Sequence, residues 1–159
     1  MHQYTHYYSP LGKMILQSNL EGLSGAWFTT ENTMPLELGE YTESCPILVQ
    51  TINQLGEYFS GKRKEFDLPL SAKGSEFQQK IWQILRSIPY GETWSYGQLA
   101  QAVGQPKAAR AVGMANSKNP ISIIVPCHRV IGKNGTLTGY AGGIERKAYL
   151  LELERKHME

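Results

Sequence analysis

Short apolar runs bounded by turn residues open the chain, and from about residue 75 onward apolar positions recur at helical spacing. Residues 4–8, 13–18 and 23–28 are the short runs. Ser9-Pro10-Leu11-Gly12 and residues 19–22 separate them with hairpin-turn composition, so a small sheet is predicted. Residues 29–44 lack a period and read as a loop. Pro46 suits a first helical position, Ile47, Leu48, Ile52, Leu55 and Phe59 follow near helical spacing, and Gly61 suits the C-terminal cap. Residues 66–70 predict one more strand. Ser75-Glu76-Phe77-Gln78 and Ser95-Tyr96-Gly97-Gln98 then each match a capping box, where serine and glutamine side chains satisfy orphan N–H groups reciprocally. The first opens a helix with Phe77, Ile81, Trp82, Ile84, Leu85 and Ile88 on its apolar face, stopped by Pro89-Tyr90-Gly91. The second opens a helix through Val103 that Gly104 ends. Pro106 is expected to start the next helix, over residues 107–117, whose Ala108, Ala109, Ala111, Gly113 and Ala115 permit close approach of a partner. Pro120 cannot continue it. Residues 121–125 are short and rich in β-branched side chains, which predicts a buried extended segment. Residues 145–154 predict a last amphipathic helix with Ala148, Leu150 and Leu151.

These elements predict an α+β chain in two parts. A boundary at residues 69–74 divides a small N-terminal α/β domain, residues 1–74, with a short antiparallel sheet, from a mostly helical domain, residues 75–159. The two short helices joined by Gly104-Gln105 read as a helix-turn-helix, although any packed helical hairpin fits the same pattern. Charge changes the picture at the same boundary. Residues 1–74 carry 5 Lys/Arg against 8 Asp/Glu and residues 75–159 carry 11 against 6, so −3 and +5 sum to the net +2. A basic half suggests an anionic partner, and solvated surface is the competing reading.

Composition excludes several classes. With 159 residues, 41% hydrophobic and 19% charged, the chain can bury a core without disulfides, and disorder, coiled coil and disulfide scaffold are ruled out. No apolar run reaches the ~18 residues of a membrane span, so no membrane partner is expected. Residues 1–13 lack the apolar core of a signal peptide, and with Cys45 and Cys127 as the two cysteines the expected compartment is the reducing cytoplasm.

Pro126-Cys127-His128-Arg129-Val130 is the stretch richest in chemistry. A thiol is a weak nucleophile until it ionises, and a neighbouring base or cation promotes ionisation. Adjacent side chains of an extended segment point apart, however, and a buried structural cysteine is the competing reading. Cys45 precedes a helix-starting proline, and a helix N-terminus also lowers a thiol pKa. Among residues 1–74, Cys45, His2 and His6 are the strong metal donors and have no metal-ligand spacing, so no zinc is expected. No nucleotide-binding glycine motif or other cofactor signature is present.

The pentapeptide resembles the active-site motif of the O6-alkylguanine-DNA alkyltransferases, also called methylated-DNA–protein-cysteine methyltransferases. The resemblance continues upstream in Ser95-Tyr96, in Lys107-Ala108-Ala109-Arg110-Ala111-Val112-Gly113 and in Asn119-Pro120, and downstream in Gly139-Tyr140-Ala141-Gly142-Gly143 and Glu154. It covers residues 75–154 in order and is weaker over residues 1–74, where Ser9-Pro10-Leu11-Gly12 and Tyr58-Phe59-Ser60-Gly61 are suggestive. It implies a ribonuclease-H-like N-terminal scaffold and a winged-helix-like C-terminal domain that binds DNA. The implied partner is double-stranded DNA containing O6-alkylguanine. The implied reaction is irreversible, single-turnover transfer of the alkyl group to Cys127, with O4-alkylthymine as a further candidate substrate. A monomer that can bind DNA cooperatively is expected.

On this resemblance, His128 is the general base acting through a bound water, and Glu154 orients it. Asn119 ends a helix and positions nearby backbone. Tyr96 helps protonate the departing guanine, and Arg110 enters the space left by the flipped base. The helix bearing Arg110 is implied to sit in the minor groove. Tyr96, Gly97, Gln105 and Lys133 fall at DNA-contact positions, the last with the charge for a phosphate. Tyr140, Ala141 and Gly142 belong to the implied alkylguanine pocket, with Ala141 where some relatives carry serine. A lesion-binding relative that flips the base without transfer is the alternative, and the presence of Cys127 argues against it.

Overall fold

The computed structural model describes residues 1–137 and 140–158, in two compact units. The first comprises Met1–Lys73 together with Pro120–Ser122, and the second comprises Gly74–Asn119 and the chain from Ile123 onward.

In the first unit, β1 (Gln3–Ser9) and β2 (Gly12–Ser18) form a hairpin in register from Gln3 opposite Ser18 to Ser9 opposite Gly12. The Ser9 side chain closes the turn by donating to the Gly12 carbonyl at 2.6 Å. β3 (Leu23–Phe28) adds antiparallel to β2, and β4 (Glu40–Tyr41) adds parallel to β1, giving the order β3-β2-β1-β4. β4 corrects the expectation of an unbroken loop over residues 29–44. It is a two-residue pairing fixed by backbone bonds to β1, such as Glu40 N–H to the His2 carbonyl at 3.1 Å, so it leaves no periodic signal.

α1 (Pro46–Phe59) starts at the proline and buries Leu48, Thr51, Leu55 and Tyr58, one stripe at helical spacing. With Met14, Leu16, Leu23 and Phe28 they make the core of this unit. The strand expected at residues 66–70 reduces to a single parallel bridge between Leu70 and Leu23. Pro69 has no N–H for a ladder and contributes its carbonyl to Leu23 N–H at 2.8 Å. Three residues from far along the chain complete the unit. Ile121 bridges Ala26, and Ser122 Oγ lies 3.3 Å from both carboxylate oxygens of buried Glu31.

The second unit is helical. α2 (Glu76–Leu85) and α3 (Tyr96–Ala102) both open on complete capping boxes, Ser75 with Gln78 and Ser95 with Gln98. α2 buries Ile81, Trp82 and Leu85, and Trp82 Nε1 donates to the Ala115 carbonyl at 2.9 Å, tying α2 to the next helix. After α3, Gly104 takes φ +78°, a left-handed conformation that suits glycine. α4 is Ala109–Ser117, two residues shorter at its start than expected. Pro106 occupies the second position of a turn closed by Ala108 N–H to the Gln105 carbonyl at 2.9 Å, and the helix begins only after it.

β5 (Trp94–Ser95) pairs in parallel with β6 (Val130–Ile131), beside a 3-10 turn at Cys127–Arg129. The unit is thus a winged-helix-like arrangement carrying a helix-turn-helix of α3 and α4. α5 (Ile144–Lys156) buries Lys147, Leu150, Leu153 and Glu154, whereas Ala148 is exposed. The inward face expected from Ala148, Leu150 and Leu151 is thereby corrected. Two charges turn inward because the interior offers them partners.

Candidate active site and nucleic-acid interface

Residues 121–125 do not run straight into the cysteine as one extended segment. Ile123 has φ +74°, an outlying conformation for a β-branched residue that costs about 1–3 kcal/mol and must be held by its surroundings. Pro126, at φ −82° and ψ 63°, then makes an inverse γ-turn, closed by Cys127 N–H to the Val125 carbonyl at 2.8 Å. Two consecutive reversals set Cys127 at the start of the 3-10 turn. The turn also removes the objection that neighbouring side chains must diverge.

Cys127 is 4% exposed. Asn119 Nδ2 donates to its Sγ at 3.2 Å and to the Val125 carbonyl at 2.9 Å, so one amide fixes both the sulfur and the γ-turn. Asn116 Nδ2 reaches the Cys127 carbonyl at 3.5 Å. A donor to sulfur favours the thiolate over the thiol.

His128 is fully buried, with Nε2 2.7 Å from Glu154 Oε2. Glu154 also accepts from Arg129 Nε at 2.8 Å, from Arg129 Nη2 at 3.0 Å and from Gly91 N–H at 3.2 Å. Burial alone would raise the Glu154 carboxyl, but the charges and hydrogen bonds of His128 and Arg129 outweigh it and hold the group well below the ordinary carboxylate range. Burial pushes His128 down, with Arg129 and Lys147 adding to that shift and Glu154 opposing it. The direction is towards neutral imidazole. An ionised Glu154 then requires the proton on Nε2, which leaves Nδ1 as the basic nitrogen. Nδ1 is buried and has no hydrogen-bond partner among the described residues.

Of the two cations here, Arg129 belongs to the expected motif and Lys147 was not anticipated. Arg129 clamps Glu154, donates to the Ile88 carbonyl at 2.7 Å and lies 5.6 Å from the Tyr90 ring centre. Lys147 is fully buried and donates to the Val130 carbonyl at 2.5 Å. Burial lowers its pKa and the negative charge of Cys127 raises it, leaving it at about 8. The interaction is reciprocal, so a charged Lys147 favours the Cys127 thiolate. A usable signal existed, since Lys147, Leu150 and Glu154 lie at i, i+3 and i+7 and share one helix face.

The remaining expected site residues fall into two groups. Tyr140 is buried, with its ring centre 6.4 Å from that of His128 in an edge-on arrangement. Gly142 is buried beside it, its carbonyl accepting from Arg146 at 2.9 Å, and Ala141 is half-buried. Gly139 lies outside the described residues. Tyr96 begins α3, next to the β5–β6 pair that joins it to the chain just past Arg129. A Cβ at Gly113 of α4 would lie 3.5 Å from the Tyr96 ring, an ordinary van der Waals distance, so the tyrosine sits over this part of α4. Arg110 is exposed on α4, with no ion pair among the described residues. Gly97 and Gln105 are exposed at the start of α3 and in the turn before α4, and Lys133 is exposed on the turn closed by Gly132 N–H to the Thr136 carbonyl at 2.7 Å. Cys127, His128, Glu154, Asn119 and Tyr140 therefore converge, while Arg110, Gln105 and Lys133 are surface groups.

Chemically, the arrangement supplies a buried nucleophile, a neutral base fixed by an ionised carboxylate, and nearby cations. No group of three or more metal-binding side chains occurs among the described residues. No described helix is long and apolar enough to cross a membrane.

Known proteins resemble the chain over nearly its full length. The family model for the 6-O-methylguanine DNA methyltransferase DNA binding domain matches residues 76–156, and that for the ribonuclease-like domain of the same proteins matches residues 3–72. The constitutive methylated-DNA--protein-cysteine methyltransferase of Bacillus subtilis is 50% identical over 159 residues, covering 98% of this chain and 96% of that one. A methylated-DNA--protein-cysteine methyltransferase of Mycolicibacterium paratuberculosis is 49% identical, covering 94% and 90%. The crystal structure of Mycobacterium tuberculosis OGT in complex with DNA superposes with a TM-score of 0.89 at 46% identity, covering 98% of this chain and 94% of that one.

Proposed function

The chain belongs to the O6-methylguanine DNA methyltransferase family of DNA-repair proteins, and on that premise we propose that it moves a methyl or larger alkyl group from O6 of guanine in double-stranded DNA to its own Cys127. O4-alkylthymine is a second substrate under the same chemistry. The observation that carries the reading is the buried Cys127 with Asn119 on its sulfur, next to a His128 whose Nε2 is committed to Glu154.

His128 Nδ1 takes the thiol proton by way of a water, and Lys147 favours the resulting anion. The sulfur attacks the alkyl carbon, the S–C bond forms and the C–O6 bond breaks with its electron pair going to guanine. Tyr96 supplies the proton that neutralises the departing base. The product is a thioether that thiols do not reverse, so each molecule acts once. Tyr140, Ala141 and Gly142 line the pocket for the base.

For a buried sulfur to reach the alkyl carbon, the nucleotide must leave the stack at a cost of a few kcal/mol. Arg110 enters the vacated space from the minor-groove side, and Gly97, Gln105 and Lys133 hold the backbone. Residues 1–74 act as scaffold, and residues 75–159 bind DNA and accept the alkyl group. The protein works as a monomer that can bind cooperatively along DNA, and in the cytoplasm, where thiols stay reduced.

The test is a titration with excess duplex carrying labelled O6-methylguanine. Transfer should stop at one label per protein, and continued turnover would sink the proposal. Arg110→Ala should lose more of its reaction rate on duplex than of its affinity for undamaged duplex. Equal losses would remove Arg110 from flipping.

A further inference from the structure

The chain approaches Cys127 by way of the first unit. Pro120–Ser122 belong to that unit, although the residues on either side of them belong to the second. Ala26 of β3 grips the segment with both of its backbone polar groups. Its N–H donates to the Pro120 carbonyl at 2.8 Å, and its carbonyl accepts from Ser122 N–H at 2.9 Å.

Glu31 adds a side-chain hold. It lies just past β3, in a turn closed by its N–H to the Phe28 carbonyl at 3.0 Å. Its carboxylate reaches back to accept from Phe28 N–H at 2.6 Å, and the Ser122 hydroxyl lies 3.3 Å from both carboxylate oxygens in a three-centre contact. Glu31 is 5% exposed and Ser122 1%. A carboxylate buried this deeply is costly unless its oxygens are satisfied. Capping the strand end accounts for the Phe28 bond. It does not account for a buried hydroxyl drawn from 91 residues further along the chain.

The residue after Ser122 is Ile123, at φ +74°. A β-branched residue keeps that conformation only while its surroundings over-determine it. On the downstream side, Asn119 fixes the Val125 carbonyl and the Cys127 sulfur. On the upstream side, the adjoining fixed point is Ser122. If Ser122 lets go, Ile123 can relax to a negative φ, and rotation there swings the γ-turn and the cysteine that follow it.

We propose that Glu31 is a positioning residue for alkyl transfer: through Ser122 it holds Ile123 in its left-handed conformation and so sets the place of the Cys127 sulfur. This rests on the reading of Cys127 as the acceptor. It makes one side chain of residues 1–74 part of the device that aims the sulfur.

The experiment separates the limiting single-turnover rate from affinity, with a duplex carrying O6-methylguanine at concentrations below and above saturation. Ser122→Ala deletes the hydroxyl and leaves the Phe28 bond to Glu31 in place, so it isolates the link. Its limiting rate should fall about ten-fold, inside the ~10²-fold that a 1 Å misplacement can cost, with duplex affinity within about two-fold of the parent. Glu31→Gln puts an N–H donor where one accepting oxygen stood and should lose as much. The double variant should be no slower than the slower single variant, because both break the same link. Leu48→Val thins the core of the same unit from α1, and should lower the thermal midpoint at an unchanged limiting rate.

Limiting rates within about two-fold of the parent in both single variants would overturn the role of Glu31, and so would losses that multiply in the double variant. An affinity loss as large as the rate loss, or equal slowing in Leu48→Val, would mean general loosening of the fold and would overturn it as well. If the parent protein transfers no methyl group, the reading of Cys127 fails and the role of Glu31 falls with it.

Discussion

The two cysteines of this chain sit in contrasting surroundings. Cys45 is half-buried at the N-cap of α1, with its sulfur 3.5 Å from Ser18 Oγ. Burial pushes its thiol up, but the Ser18 hydroxyl and the backbone N–H groups of Leu48 and Ile47 more than offset this and bring it below its ordinary value. Cys127 is buried behind two backbone reversals, held by Asn119 and next to His128 and its fixed carboxylate. Cys45 shows that a more acidic thiol is not by itself an active site. Helix N–H groups can stabilise a thiolate, yet they cannot carry a proton away. Transfer to carbon also needs a base, and of the two cysteines it is Cys127 that has a buried histidine and carboxylate beside it.

The sharpest way to break the contrast is to exchange the roles. Cys127→Ser should reduce transfer from duplex O6-methylguanine to background, while Cys45→Ser stays within about two-fold of the parent, because only the first removes the acceptor. Single-turnover rates of both variants decide this.

Glu154→Gln comes next in size. It keeps the shape but withdraws the charge that orders His128 and pairs with Arg129. Transfer should fall about 10²–10⁴-fold, as expected when a base loses its orienting carboxylate. Stability should fall by about 3–5 kcal/mol, because Arg129 is left buried without its partner. Denaturant unfolding and single-turnover kinetics on one preparation measure both.

Asn119→Ala should cost about 1–3 kcal/mol, since the Val125 carbonyl and the Cys127 sulfur both lose a buried donor. It should also slow transfer. The same stability cost with an unchanged rate would confine Asn119 to holding the turn.

The pH dependence is smaller and its sign is fixed. The folded Glu154 carboxyl lies below its unfolded value, so its contribution is full above the ordinary carboxylate range and is lost as pH falls through that range and below it. His128 is likewise lowered, so protonation in the unfolded state costs stability as pH falls below its ordinary value of 6.5. Lys147 acts at the other end. With a folded pKa of about 8 against 10.5 unfolded, its penalty is present below 8 and is relieved as pH rises between the two values. Glu154→Gln should flatten the acid limb of a thermal-midpoint profile and leave the alkaline limb. The smallest expected effect is the stability change of Cys45→Ser, about 0.5 kcal/mol or less.

Local chemistry was legible in the sequence, and long-range chemistry was not. The Ser75–Gln78 and Ser95–Gln98 boxes form as expected because each joins residues three apart. Pro46 and Gly104 mark their helix ends for the same reason. The pairing of residues 120–122 with β3 and Glu31 escaped notice, because nothing local in Pro120-Ile121-Ser122 names a partner almost a hundred residues earlier. At the candidate site, Cys127, His128, Asn119 and Glu154 could be named from family resemblance. Their backbone device could not, since Ile123 gives no sign of a positive φ. Lys147 leaves no signal of its own because hydrophobic periodicity assigns charges outward, and here a carbonyl and a buried sulfur draw one inward.

The most direct measurement is a single-turnover reaction of the unmodified protein with a duplex carrying one O6-methylguanine, followed by peptide mass spectrometry. One methyl group per protein, on the peptide containing Cys127 and absent from the peptide containing Cys45, is the expected result. Methyl on the Cys45 peptide, or tight binding to the lesion with no methylated peptide, would contradict it.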